Sequence, residues 1–179
     1  LINNDDPYTT SPDVTLILSA TDDSGTVAQM RFSHDNITYT TPEPYATSKT
    51  WTLTSGDGLK TVFVQFQDAA GNWSAVASDM IILDTSPPAA VEVSDDGAFT
   101  TSTTELHAAW TAAVDAESGI VDAQYQIRQD STGGPIIRDW TSVGLATEVT
   151  ATALTLTIGT TYVIGVRVQN GAGLFSADS

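Results

Sequence analysis

One pattern occurs twice along this chain, and it constrains the fold more than any other property of the sequence. The first copy runs Val14-Thr-Leu-Ile-Leu-Ser-Ala20, then Asp22-Asp-Ser-Gly25, then Gln29-Met-Arg-Phe32. The second runs Glu105-Leu-His-Ala-Ala-Trp110, then Glu117-Ser-Gly119, then Gln124-Tyr-Gln-Ile127. Later, Thr61-Val-Phe-Val-Gln-Phe-Gln-Asp-Ala-Ala-Gly-Asn-Trp-Ser74 is answered by Val163-Ile-Gly-Val-Arg-Val-Gln-Asn-Gly-Ala-Gly-Leu-Phe-Ser176. A shift of 102 positions places Asp68 on Asn170, Gly71 on Gly173, Trp73 on Phe175 and Ser74 on Ser176. A chain of 179 residues that repeats once holds two units of about 90 residues, each of ordinary domain size.

Both units read as strands. Val14, Leu16, Leu18 and Ala20 alternate onto one face, as do Val62, Val64 and Phe66. The second copy answers with Leu106, Ala108 and Trp110, and with Ile164, Val166 and Val168. At a shift of 103, Trp51 and Leu53 match Leu154 and Leu156. The apolar residues are largely β-branched or aromatic, set among Thr and Ser, and no long segment has a 3.6-residue period. Turn clusters such as Ser55-Gly-Asp-Gly58, Ser131-Thr-Gly-Gly-Pro135 and Gly171-Ala-Gly173 punctuate the runs. Short strands with frequent turns predict an all-β sandwich in each half. Between them, Asp84-Thr-Ser-Pro-Pro88 predicts a short, semi-rigid proline linker, which sets the domains at 1–84 and 85–179.

Charge and composition exclude several functions. The chain carries 22 acidic and 6 basic residues, for a net charge of −16. Each half holds 11 acidic and 3 basic residues. Such a surface repels nucleic acid and anionic membranes, attracts cations, and favours solubility. No run reaches the ~18 apolar residues of a membrane span, so no membrane insertion is expected. The absence of cysteine rules out disulfides, zinc–thiolate sites and a thiol nucleophile. The two histidines, His34 and His107, fall in different halves, and no nucleophile-elbow, zinc-helix or phosphate-loop pattern occurs. The adjacent pairs Asp5-Asp6, Asp22-Asp23 and Asp95-Asp96 read as solvated turn residues rather than facing catalytic carboxylates. The chain is therefore read as not an enzyme.

The second copy resembles a fibronectin type III module. Trp110 ends its second strand, where that family buries a tryptophan, and Leu156-Thr-Ile-Gly-Thr-Thr-Tyr162 is similar to the family's Leu-x-Pro-Gly-x-x-Tyr corner, with Ile158 in place of proline. The resemblance implies that the Tyr162 hydroxyl bonds back to nearby backbone. The first copy resembles bacterial Ig-like repeats through Asp68-Ala-Ala-Gly-Asn-Trp-Ser74 and Asp84-Thr-Ser-Pro-Pro88. Together these imply two tandem immunoglobulin-like, fibronectin type III-like β-sandwiches of an extracellular or cell-surface bacterial protein, flanked by neighbouring domains of a longer chain. Trp51, Trp110, Leu156 and Tyr162 are the expected core residues.

Several sites follow as expectations. Asp22, Asp23, Asp68, Asn72 and Asp84 offer the oxygen donors that calcium prefers, gathered at one end of the first module. Trp73 and Trp140 are the candidate exposed aromatics for stacking on a sugar. After Ser74 the first copy continues through Met80-Ile-Ile-Leu83, and the shift of 102 carries that segment past Ser179. The second module is therefore expected to have an incomplete last strand, whose open edge invites strand addition from another copy. The leading functional reading is a spacer or presentation segment. An adhesin or carbohydrate-binding module that meets a cell-surface glycan or protein, and a filament subunit joined by β-strand exchange, are the alternatives.

Overall fold

A computed structural model describes residues 1–23 and 25–179; Ser24, inside the Asp22–Gly25 turn cluster, lies outside the described residues. The chain divides into two compact units, Leu1–Thr85 and Ser86–Ser179. Each is an antiparallel sandwich, apart from one short parallel pairing at an edge.

In the first unit the strands are β1 (Tyr8–Thr9), β2 (Asp13–Ile17), β3 (Val27–Ser33), β4 (Glu43–Pro44), β5 (Ser48–Thr52), β6 (Gly58–Asp68) and β7 (Ala77–Leu83). One sheet has the order β1-β7-β6-β3-β4, and β2 pairs with β5 in the other. β1 runs parallel to β7, with Tyr8 opposite Ile82. The period-2 reading of 14–20 holds: Val14, Leu16 and Leu18 are buried while Thr15 and Ile17 are exposed. They meet Met30 and Phe32 from β3, Val62 from β6 and Ile81 and Leu83 from β7 in one core. Trp51 is half-buried at the margin of this core, with its ring 5.4 Å from Phe32 and 4.7 Å from His34.

The second unit contains β8 (Val93–Asp95), β9 (Leu106–Trp110), β10 (Ile120–Gln129), β11 (Ile136–Gly144), β12 (Glu148–Ala151) and β13 (Tyr162–Asn170). The sheets are β12-β9-β8 and β11-β10-β13. Their inner faces supply Trp110, Tyr125, Ile127, Ala151, Val166 and Val168, joined by Leu154 and Leu156 from the crossing segment. Trp110 is buried, as its alternation with Ala108 requires. The tyrosine corner is formed: the Thr157 N–H donates to the Tyr162 hydroxyl at 2.8 Å. The bond forms although Ile158 stands where proline is usual. Ile158 projects into solvent, 91% exposed, so that position needs no particular side chain to hold the corner.

The sequence repeat is a repeat of hydrogen bonds. In the first unit the Gly71 N–H donates to Asp68 O at 3.2 Å, the Ser74 N–H to Phe66 O at 2.8 Å, and Gln67 Nε2 to Gly71 O at 2.8 Å. The second unit makes the same three bonds between Gly173 and Asn170 (3.0 Å), Ser176 and Val168 (2.9 Å), and Gln169 and Gly173 (3.1 Å). The Ser74 and Ser176 hydroxyls each accept a strand N–H, from Phe66 and Val168, both at 3.1 Å. Gly71 and Gly173 adopt φ of 95° and 88°, a region that glycine enters without a Cβ clash. A repeated sequence thus closes a repeated turn. That turn returns Trp73 and Phe175 across Gln67 and Gln169 of the preceding strand.

Candidate functional site

The side chain delivered by that turn defines the most distinctive surface of each unit. On the first, Trp73 lies over the guanidinium of Arg31, with the ring centroid 4.1 Å from Cζ. Tyr39, beyond the end of β3, stacks on the same group at 4.5 Å. Two rings this close to one planar cation must occupy its two faces, so Arg31 is the middle layer of a ladder. Its Nε and Nη2 both donate to Oε1 of Gln65, directly across the strand pair, at 3.1 and 2.7 Å.

The second unit carries the same ladder with the arginine on the other strand. Arg167 of β13 lies between Trp140 and Phe175, both at 4.2 Å from Cζ. Its Nε and Nη2 donate to Oε1 of Gln124, on β10, at 3.0 and 2.8 Å. In the first unit β3 holds the arginine and β6 the glutamine; in the second β10 holds the glutamine and β13 the arginine. The glutamine Nε2 atoms are also occupied: Gln65 donates to Ser74 O at 3.0 Å and Gln124 to Asp122 at 3.0 Å. Gly165, on the strand that carries Arg167, leaves bare backbone beside Trp140, where even a Cβ would touch the ring edge at 3.7 Å.

Trp73 and Trp140, the two aromatics expected to stack on a ligand, are thus different rungs of two separate ladders. Trp73 corresponds to Phe175, whereas Trp140 takes the place of Tyr39. Each tryptophan is half-buried and has one ring face committed to its own module's arginine. Reading the sequence missed both arginines and both glutamines. A cue was present, since Gln65 and Arg167 are partners at the shift of 102, but the exchange of residue types across the strands concealed their shared role.

The five oxygen donors expected to suit calcium are distributed as follows. Asp68 and Asn72 are together: the carboxylate accepts from the Asn72 N–H at 2.8 Å and from its amide at 2.9 Å. The Asn72 side chain and then its backbone N–H hold the Asp68 carboxyl below its ordinary range. A cation there would compete with those two donors. Asp22 accepts a backbone bond from Gly25 at 3.0 Å in its turn, Asp23 is exposed beside it, and the Asp84 N–H donates to Thr9 O at 2.9 Å. Among the described residues, no three of Asp22, Asp23, Asp68 and Asp84 bring carboxylate oxygens within 4.8 Å of one another.

Other carboxylates also serve local structure. Asp35 is held down to about 2 by the backbone N–H groups of Thr38 and Ile37 and the Ser33 hydroxyl. For Asp115, burial opposes ionisation, but the Ser118 N–H and the Asn170 amide outweigh it and the carboxyl stays low. The Trp140 N–H and the Gln126 amide hold Asp139 low. His34 packs on Trp51, and His107 Nδ1 lies 2.8 Å from Asp96. Among the described residues neither imidazole is hydrogen-bonded to a serine hydroxyl. Among the described residues, no helix is long and apolar enough to cross a membrane.

No family model and no curated protein matches the chain. Solved structures do. The fibronectin(III)-like modules of CbhA from Clostridium thermocellum superpose with a TM-score of 0.54 at 12% identity, covering 100% of this chain and 90% of that one. The FN1–FN3 domains of chicken CNTN1 give a TM-score of 0.49 at 15% identity, covering 96% of this chain and 59% of theirs. The first likeness shows the fold, a fibronectin type III-like sandwich, in agreement with Trp110 and the Tyr162 corner.

Proposed function

We propose that this chain is a non-catalytic spacer or presentation segment of a secreted or cell-surface bacterial protein, holding neighbouring domains of a longer polypeptide apart. Modules of this fold generally act as structural spacers or as binding modules. The observation that carries the spacer reading is how each unit uses its ladder. The rings that would make a free stacking platform are consumed in clamping the unit's own arginine. The clamp secures the segment beyond β3 and the turn after β6 in one unit, and β11 and the turn after β13 in the other. The carboxylates singled out by their environment are likewise occupied by turn N–H groups and amides. The remaining acidity gives a surface that resists association with its own kind.

A replacement experiment tests this. In the parent polypeptide, residues 1–179 are exchanged for an unrelated tandem sandwich of equal length. Retention of the parent's surface activity supports the spacer role. Loss of activity, with the replacement folded and displayed, contradicts it.

A further inference from the structure

We propose that the outward end of each stacked guanidinium is an anion site, and that its ligand is the carboxylate of a uronic-acid polysaccharide. Three observations converge on this. The first is what remains of the arginine. Rings cover both faces, and Nε and Nη2 are directed at a glutamine oxygen, so the Nη1–Nη2 end is the part left over. Among the described residues, Nη1 of Arg31 and of Arg167 makes no hydrogen bond to protein. Two coplanar N–H groups at that end match the two oxygens of a carboxylate.

The second observation is the partner each arginine has been given. The chain has 22 acidic residues, yet among the described residues neither Arg31 nor Arg167 forms an ion pair. Both are oriented by a neutral amide. Asp139, whose charge feels Arg167, is itself engaged by the Trp140 N–H and the Gln126 amide. Each positive charge is therefore positioned without a direct ion pair, although the ionised Asp139 carboxylate offsets part of the Arg167 charge, and the flanking rings cover part of each half-buried guanidinium, which strengthens a hydrogen bond made beside them.

The third is the recurrence. The arginine has changed strands between the two units while the ring–guanidinium–ring stack has stayed. Two like sites on successive modules favour a polymer with a repeating charged unit over a single small anion. The rims of Tyr39, Trp73, Trp140 and Phe175 offer apolar edge to the pyranose ring that bears the carboxylate. The acidic field of the whole chain opposes a polyanion at long range, but at physiological salt it is screened beyond about 8 Å, leaving contact interactions.

The test uses the full chain and calorimetric titration at physiological salt. The titrants are oligogalacturonate, its full methyl ester, and a neutral β-glucan oligomer. Binding by the acid form alone, at two sites per chain, is expected. Gln65→Glu with Gln124→Glu places a carboxylate on each guanidinium from within. Because the glutamate oxygens replace amide donors to Ser74 O and Asp122, that double variant should melt lower than the parent but stay folded at about 25 °C, and there it should bind at least about tenfold more weakly. Thr15→Glu with Thr150→Glu, which adds the same two charges at exposed positions on the other sheet of each unit, should bind as the parent does. No binding by oligogalacturonate overturns the proposal, as does equal binding by the ester or undiminished binding by the double glutamate variant. The two tests have separate readouts: the titrations measure binding by this chain, whereas the replacement experiment measures the surface activity of the parent polypeptide.

Discussion

The turn after β6 and the turn after β13 have the same backbone bonds and differ at their first residue, Asp68 in one and Asn170 in the other. Asp68 sits near the surface and needs only to accept, which it does from Asn72 twice. Asn170 is fully buried and must do both jobs. Its Oδ1 accepts from the Leu174 N–H at 2.8 Å, while its Nδ2 donates to Asp115 at 3.1 Å and to Ser86 O at 3.2 Å. A carboxylate suits the wet copy because water completes its shell. An amide suits the dry copy because it brings its own donors to a neighbouring carboxylate and carbonyl. The ladders make a parallel point: one geometry, with its cation and amide exchanged across a strand pair.

The sharpest break in this comparison is Asn170→Asp. It sets two carboxylates against each other in a buried site and removes both donors. It should cost the second unit about 3 kcal/mol or more, read as faster amide exchange along β13 in the full chain. Asp115→Asn in the same chain should recover much of that loss. The mirror change, Asp68→Asn, should leave amide exchange along β6 close to that of the parent, because that site is solvated. Equal effects at both turns would mean that burial does not govern the choice.

Next in size is Tyr162→Phe. It deletes the hydroxyl that accepts the Thr157 N–H and should cost about 1 kcal/mol by urea unfolding. The first unit has no tyrosine at the position that corresponds to Tyr162, which is Lys60, so this bond is one respect in which the units are not interchangeable.

The smallest effect concerns acid. The folded Asp35 carboxyl titrates near 2, below the value of about 3.9 in an unfolded chain. Its stabilisation is therefore complete above about pH 4 and is lost as pH falls towards about 2. Asp35→Asn should flatten the first unit's stability against pH across that window and leave neutral-pH titration unaltered. An unchanged acid slope would show that the Ser33–Thr38 loop does not contribute.

Much of the fold was legible in the sequence because the signals were local or repeated. Alternation marked Val14, Leu16 and Leu18 as inward, and Leu156 to Tyr162 announced the corner bond. The ladders were not legible for a physical reason. A ring–guanidinium–ring stack draws on three separate segments, and matching the copies residue by residue pairs Gln65 with Arg167, hiding that each belongs to the same kind of contact. Alternation likewise tells which face Trp140 occupies but not that one side of its ring is already covered by Arg167.

The stack, not the strand that supplies its cation, is the unit each module preserves. Arg31→Gln, Gln65→Arg and their combination test it by urea unfolding of the full chain. Each single change should cost about 1–2 kcal/mol, through two lost cation–π contacts or an unmatched second cation. The exchanged pair reproduces in the first unit the arrangement of Gln124 and Arg167, and should return to within about 0.5 kcal/mol of the parent. A double variant that loses the sum of the two single costs would contradict the claim.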